Sequence, residues 1–297
     1  HDCAGWRLYT RRCFPRADAG GRRARHPYNG WRGGLMLVFV KLGGSLITDK
    51  RVHRSVRHEA LQRISGEIAR ASADNPELKL IVGHGSGSFG HFAANTHQTA
   101  KGVHSPKEWR GFAEVAFEAA ELDQIVIASL RSAGLPVMAF QPSASAKSHA
   151  GKVVWMDTRP IQLALENGLI PLVYGDVGFD EIQGGAILST EAIFFYLAPL
   201  LRPDHIILLG EVDGVLDAGG RVIPNITPAN LLEIEAALGG SSGIDVTGGM
   251  ETKVKDMLAL AAILPSLAIH IANGSRPGLL AKLLSGSFSD ATTLRGD

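Results

Sequence analysis

The sequence predicts an α/β protein built on a mainly parallel β-sheet covered by helices on both sides. Three observations predict it. Short β-branched runs alternate with helical patterns from Met36 onward. Nearly all of those runs lack polar alternation, which marks strands buried on both faces. Glycines cluster just after them, where an open α/β sheet receives its ligands. Taken in order, the strands are expected over 37–42, 78–82, 136–140, 169–174, 205–209 and 268–272. After the first, Val56, Ala60, Leu61, Ile64 and Ile68 mark the apolar face of a helix. Ser105-Pro106 caps a second helix that runs to about Ser132, with Gly134 as its stop. Thr158 opens a third before Gly168, 189–201 forms a fourth and 248–264 a fifth. The segments 178–185 and 213–221 carry turn chemistry, Asp213-Gly214 and Gly219-Gly220 in the latter, and predict hairpins beside the main sheet. Neither an internal repeat nor a linker interrupts 36–297, which is expected to be one domain.

With 297 residues, 45% hydrophobic and 20% charged, the chain can bury a sizeable core, which excludes disordered and fibrous classes. The longest near-apolar run, 258–269, holds 12 residues and includes Pro265, whereas crossing a bilayer takes about 20. A soluble protein without membrane association is expected. The net charge of +1 hides an asymmetry: residues 1–35 hold eight Arg, no Lys and two Asp, so the remainder is net −5. That mildly acidic body, without aromatic–basic interleaving, argues against nucleic-acid binding. Both cysteines, Cys3 and Cys13, lie in the first 35 residues, so the body offers no disulfide or thiolate metal site and a reducing, cytoplasmic setting fits. Residues 1–35 begin with His, are rich in Arg and Gly and show no apolar periodicity. They are expected to stand outside the fold, disordered or not native to it, with a basic arm or a targeting peptide as alternatives.

The first strand ends in Lys41-Leu42-Gly43-Gly44-Ser45, followed by Lys50. The second ends in Gly83-His84-Gly85-Ser86-Gly87-Ser88-Phe89-Gly90-His91. Glycine lets backbone approach a phosphate closely, and successive N–H groups then form an anion-binding nest. Two such loops imply two anions, or one held from both sides; the bland alternative is a pair of tight turns. Neither loop is a Walker pattern. Residues 85–90 fit G-x-G-x-x-G, but no acidic residue ends a strand about 20 positions later, as a dinucleotide fold requires. Further strand ends carry Gly175-Asp176, Glu211-Val212-Asp213-Gly214 and Asp245-Val246-Thr247-Gly248-Gly249-Met250 ahead of Lys253. A lone Asp after a strand is more often a cap or turn residue than a catalytic one.

K-x-G-G-S-x-x-T-x-K (Lys41 to Lys50), G-H-G-x-G-S-F-G-H (Gly83 to His91), Y-G-D-V, V-D-G-V and D-V-T-G-G-M-x-x-K resemble, in order and spacing, the amino acid kinase superfamily. The S-F-G-H ending and the T-x-K look most like its isopentenyl phosphate kinase branch. The resemblance covers essentially all of 36–297. It implies a three-layer αβα sandwich of the carbamate kinase type, ATP with Mg²⁺, transfer of the γ-phosphoryl group to isopentenyl phosphate to give isopentenyl diphosphate, and a homodimer. By the same match, Lys41 and Lys50 lie along the transferred group and Lys253 approaches the ATP phosphates. Gly43, Gly44, Ser45, Gly87, Asp213, Gly248 and Gly249 line the nucleotide side. Ser86, Gly87, Ser88, His91 and Gly175 receive the acceptor, and Asp176 orients the lysines by ion pairing or touches Mg²⁺ through water. No residue is assigned as a direct metal ligand.

Phosphoryl transfer between two phosphates passes through a loose transition state, so it needs positioning and gathered positive charge. A phosphate monoester, with a second pKa of about 6, needs no strong base; it needs a donor to hold it against ATP, and His91 is the candidate. His91 as a helix cap or core histidine is the alternative, and His84 reads as structural. A five-carbon tail requires an apolar slot, for which Phe89, Phe92, Trp109, Phe112, Val115 and Phe117 are candidates, although ordinary core packing gives the same spacing. Two departures stand out: Ser86 replaces the middle glycine of a G-G-G, and Thr190-Glu191 stands where the family reads Gly-Asp. The competing readings are a fosfomycin-type or other small phosphate or phosphonate kinase, a carboxylate kinase such as a glutamate kinase, and a silent nucleotide-binding regulatory module.

Overall fold

The structure is a computed structural model that describes residues 36–231, Ile234 and 249–297. Residues 1–35, with Cys3 and Cys13, lie outside the described residues, as do Asp245, Val246, Thr247 and Gly248. The strands are β1 (Met36–Leu42), β2 (Leu78–His84), β3 (Val137–Ala139), β4 (Ala146–His149), β5 (Lys152–Met156), β6 (Ile170–Tyr174), β7 (Asp176–Asp180), β8 (Gly184–Leu188), β9 (His205–Gly210), β10 (Asn225–Ile226), β11 (Ala268–Asn273) and β12 (Thr292–Leu294). The helices are α1 (Gly44–Ile47), α2 (His58–Asp74), α3 (Gly87–His97), α4 (Pro106–Ser132), α5 (Pro142–Ser145), α6 (Arg159–Glu166), α7 (Thr190–Leu201), α8 (Gly249–Ile263) and α9 (Leu279–Leu284).

All six expected strands fall in one eight-stranded sheet of order β10-β12-β11-β9-β1-β2-β6-β3, parallel except where β12 runs against β11. Successive residues of a strand face opposite sides, and here both sides are covered. Leu37 and Phe39 of β1 join a core with Phe194 and Leu197 of α7 and Val254 and Met257 of α8. Val38, Val40 and Leu42 join a second core with Leu61, Ile64 and Ile68 of α2, Leu122 and Val126 of α4 and Leu280 of α9. Two cores on one sheet make the three-layer sandwich. The expected 178–185 hairpin forms as β7–β8, but in a separate four-stranded sheet of order β5-β4-β7-β8. The 213–221 segment closes through one antiparallel bridge, Leu216–Val222.

Local chemistry sets the helix ends. Ser105 Oγ accepts from the Glu108 N–H while the Glu108 carboxylate takes the Ser105 N–H, a reciprocal capping box with Pro106 at the first helical position. Ser189 caps α7 through the Ala192 N–H at 3.1 Å. Among the described residues no helix is long and apolar enough to cross a membrane.

Candidate active site

The parallel register sets the ends of β1, β2, β6 and β9 side by side: Leu42 lies opposite both His84 and Leu209, and His84 opposite Tyr174. Strands β1, β2 and β6 each continue one residue further, because the N–H groups of Gly43, Gly85 and Gly175 donate to Leu209 O, Leu42 O and His84 O at 2.8, 3.0 and 2.9 Å. These glycines therefore give close approach, not the anion-binding N–H groups expected of Gly43 and Gly175. A Cβ on Gly44 would lie 2.9 Å from both Cα and N of Gly87, so the two glycine loops touch backbone to backbone and their nests adjoin. Gly87 itself has φ +54, a left-handed conformation that favours glycine. Among the described residues, the N–H groups of Gly44, Ser45, Ser86 and Gly87 have no protein acceptor.

Two lysines reach these loops and share one carboxylate. Lys41, the penultimate residue of β1 and buried, holds Glu191 Oε1 at 2.5 Å, and Lys253 of α8 lies 3.8 Å from the same oxygen. Burial pushes the Glu191 carboxyl up, but the two ammonium groups outweigh it and hold it below the ordinary carboxylate range. The ion-pairing role expected of Asp176 thus belongs to Glu191. Asp176 opens β7 and is buried, and its carboxylate accepts from the N–H groups of Ser143 at 3.0 Å and Val177 at 2.8 Å. Burial raises its proton affinity despite those two donors, with the charge of Asp123 adding to the rise. Thr190 is accommodated in place of glycine: its hydroxyl donates to His84 O at 2.6 Å and its methyl lies where a Cβ on Gly83 would be, 2.5 Å away.

Lys50 and His91 stand at the exposed rim. Partial burial, then the charge of Lys50, lowers the His91 pKa. The Asn95 amide donates to His91 Nε2 at 3.1 Å in the tautomer that keeps Nδ1–H as a donor. Ser88 does not serve the acceptor as expected. Its N–H donates to Thr48 Oγ1 at 2.9 Å, its hydroxyl accepts from Ser55 N–H at 3.1 Å, and it is fully buried. The Ser86 side chain lies against Gly90, where an added Cβ would come 2.7 Å from Ser86 Cβ. His84 is structural as read: buried, bonded to Asp123 at 3.1 Å and stacked on Tyr174. Asp213 is exposed beyond β9, held by Asn273 Nδ2 at 3.0 Å.

The apolar candidates divide. Phe89 belongs to the core beneath the main sheet. Phe117 is 58% exposed. Phe112 and Val115 form a small separate core with Val103 and Val177, and Trp109 and Phe112 both meet Phe179 of β7 at 5.8 and 5.4 Å. Phe92 stacks under His53 at 5.3 Å. Phe179 was missing from the sequence reading; the V-x-F spacing in the expected hairpin is the signal for it. Glu191 was seen only as a departure from a pattern, although an acid one residue into a Ser-capped helix at a strand end is the signal for its role.

The profile of the Amino acid kinase family matches residues 36–273. The isopentenyl phosphate kinase of Methanocaldococcus jannaschii is 37% identical over 230 residues, covering 75% of this chain and 86% of that protein. That of Methanothermobacter thermautotrophicus is 31% identical over 273 residues, covering 88% and 99%. A solved structure of an isopentenyl phosphate kinase superposes with a TM-score of 0.73 at 28% identity, covering 86% of this chain and 99% of that one. Fold, motif order and relatives agree: the chain belongs to the amino acid kinase family and, within it, to the isopentenyl phosphate kinases.

Proposed function

We propose that this protein transfers the γ-phosphoryl group of ATP to isopentenyl phosphate, giving isopentenyl diphosphate and ADP. The observation that carries this reading is a division of positive charge. Lys41 and Lys253 are held on Glu191 beside one glycine loop, while His91 lies in the helix that follows the other loop, near enough to Lys50 for that charge to lower its pKa. Two anions meeting end to end need such charge at both ends and between them. A carboxylate acceptor has less use for an imidazole donor than a phosphate has.

In the reaction, an oxygen of the acceptor phosphate attacks the γ-phosphorus, and the bond to the β–γ bridging oxygen breaks with its electron pair leaving on ADP. The acceptor is already ionised at neutral pH, so no residue has to remove a proton. The N–H groups of Gly44 and Ser45, with Lys253, receive the ATP phosphates; those of Ser86 and Gly87, with His91 Nδ1–H, receive the acceptor. Lys41 and Lys50 neutralise the charge that accumulates on the moving group. Glu191, kept ionised by its two lysines, fixes their ammonium positions before the ligands arrive. Among the described residues no three His, Cys, Asp or Glu side chains converge on one point. Mg²⁺ would be carried on the nucleotide phosphates and water, with few carboxylates; Glu191 and Asp176 would face its waters, and the ion would supply further charge neutralisation when bound. Phe112, Trp109 and Phe179 are the apolar surface nearest in character to a five-carbon tail. The reading takes the protein as a homodimer in a reducing cytoplasm, though neither enters the chemistry.

ADP release measured with isopentenyl phosphate, fosfomycin, glutamate and carbamate as acceptors tests the proposal. Isopentenyl phosphate should give the highest kcat/KM. Preference for fosfomycin would move the protein to a sister activity, and no ADP with any acceptor would favour a silent nucleotide-binding module.

A further inference from the structure

The loop 48–57 carries Lys50, and its first half is held within itself: the Asp49 carboxylate receives the N–H, Nε and Nη2 of Arg51, and Val52 N–H donates to Asp49 O at 3.1 Å. The base is closed by the Thr48–Val56 bridge and by Asp49 N–H to Ser55 O and Arg57 N–H to Ile47 O. Residues 50–54 are all exposed, and Arg54 adopts φ +55, a left-handed conformation uncommon outside glycine. What ties the 53–54 end of the tip to α4 is a carboxylate that the proposed chemistry does not use. Glu118 of α4 has a side chain only 5% exposed, and it receives Arg54 Nε at 3.1 Å, Arg54 Nη2 at 2.8 Å and His53 Nε2 at 3.2 Å. Arg54 Nη2 also pairs with Glu121 at 2.6 Å. Both partners of this buried acid come from the Lys50 loop. The fork of the guanidinium fixes direction as well as distance, which a single ammonium does not. On the same tip, the His53 ring stacks on Phe92, the residue after His91.

We infer that Arg54, clamped on Glu118, is a positioning residue that acts through Lys50, holding its ammonium group beside His91 where the acceptor phosphate and the moving phosphoryl group meet. This rests on the function proposed above. Without the clamp, the exposed loop samples other positions and Lys50 spends part of its time away from the transition state. The loss then falls on kcat. ATP, bound through Lys253 and the Gly44 loop, is little affected.

The test is a double-mutant cycle on the full chain, with isopentenyl phosphate as acceptor and saturating ATP. Wild-type turnover is measured first; its absence would overturn the proposed function before any variant is considered. Arg54→Ala should lower kcat about tenfold, with the KM for ATP within twofold of wild type and Arg54→Lys falling between. Lys50→Ala should lower kcat further, and adding Arg54→Ala to it should change nothing beyond twofold, because Arg54 acts only through Lys50. Multiplicative losses in the double variant would overturn the inference, as would wild-type kcat in Arg54→Ala. If Arg54→Ala does not fold, Arg54→Lys takes its place in the cycle under the same criteria.

Discussion

His91 shows how a residue's usefulness depends on which of its atoms is free. Its Nε2 is taken by the Asn95 amide and its pKa is lowered, first by partial burial and then by Lys50, which favours the neutral ring with Nδ1–H as its donor. A neutral donor suits a phosphate that must be held without being over-stabilised in the ground state. His91→Ala should therefore reduce kcat/KM for isopentenyl phosphate by more than tenfold while leaving the unfolding temperature near that of wild type. Activity within twofold of wild type would remove His91 from the site. Residue type is the layer the sequence offers first: Lys41, Lys50 and His91 are singled out by charge and by their place in or beyond the first two strands. The roles of Ser88, Gly43 and Gly175 are not, because a free N–H cannot be told from a bonded one until the neighbouring strand and the Thr48 hydroxyl are in place. Asp176 rather than Glu191 looks like the ion-pairing acid in the sequence for the same kind of reason. An acid's partner depends on which way its strand turns, and β7 turns Asp176 toward the first turn of α5.

At the scale of elements, the site is a meeting of two strand-to-helix turns. The capping box of α4, the Ser cap of α7 and the six buried strands were readable, since each is set by chemistry within a few residues or by long apolar runs. The pieces α1, α5, β4 and β5 span four or five residues, too few for periodicity to show. The contact between the loops was not readable at all, because it pairs residues more than 40 positions apart. It makes a contrast testable. Gly44→Ala puts a Cβ 2.9 Å from the Gly87 backbone, which has no flexible end to yield, whereas Gly66→Ala in α2 meets nothing within 4 Å. Gly44→Ala should lower kcat at least tenfold by parting the nests. Gly66→Ala should keep full activity and gain about 0.5–1 kcal/mol from helix propensity. Equal activity in the two variants, assayed side by side, would show that the nests do not need to touch.

The molecule as a whole separates chemistry from support. The groups proposed to meet the ligands lie at the carboxyl ends of the strands, while a histidine pair, His270 buried and His205 half-buried, sits on β9 and β11: His205 Nδ1 meets His270 Nε2 at 3.1 Å, and His270 Nδ1 meets Thr293 Oγ1 at 3.1 Å. Phe288 stacks on His270 at 3.8 Å. Burial, with His205 and Arg295 adding to it, pushes His270 down to about 3. Its unfolded value is about 6.5, so between those limits the unfolded chain binds the extra proton. The stability it contributes is complete above about pH 6.5 and is lost as pH falls toward 3, about 2 kcal/mol of it by pH 5. Urea unfolding at pH 7 and pH 5 should show a smaller acid loss for His270→Gln than for wild type; equal losses would place the acid sensitivity elsewhere. The sequence carried the fold class because parallel strands buried on both faces leave a long-range signature in composition, whereas this histidine pair depends on β9 and β11 becoming neighbours.

The central claim is that positive groups from both glycine loops bring two phosphates end to end. Incubating the full chain with γ-labelled ATP and isopentenyl phosphate measures that most directly. The label is expected to leave ATP and appear in the terminal phosphate of isopentenyl diphosphate, with one ADP formed for each. Label that stays in ATP, or appears only as inorganic phosphate, would contradict it.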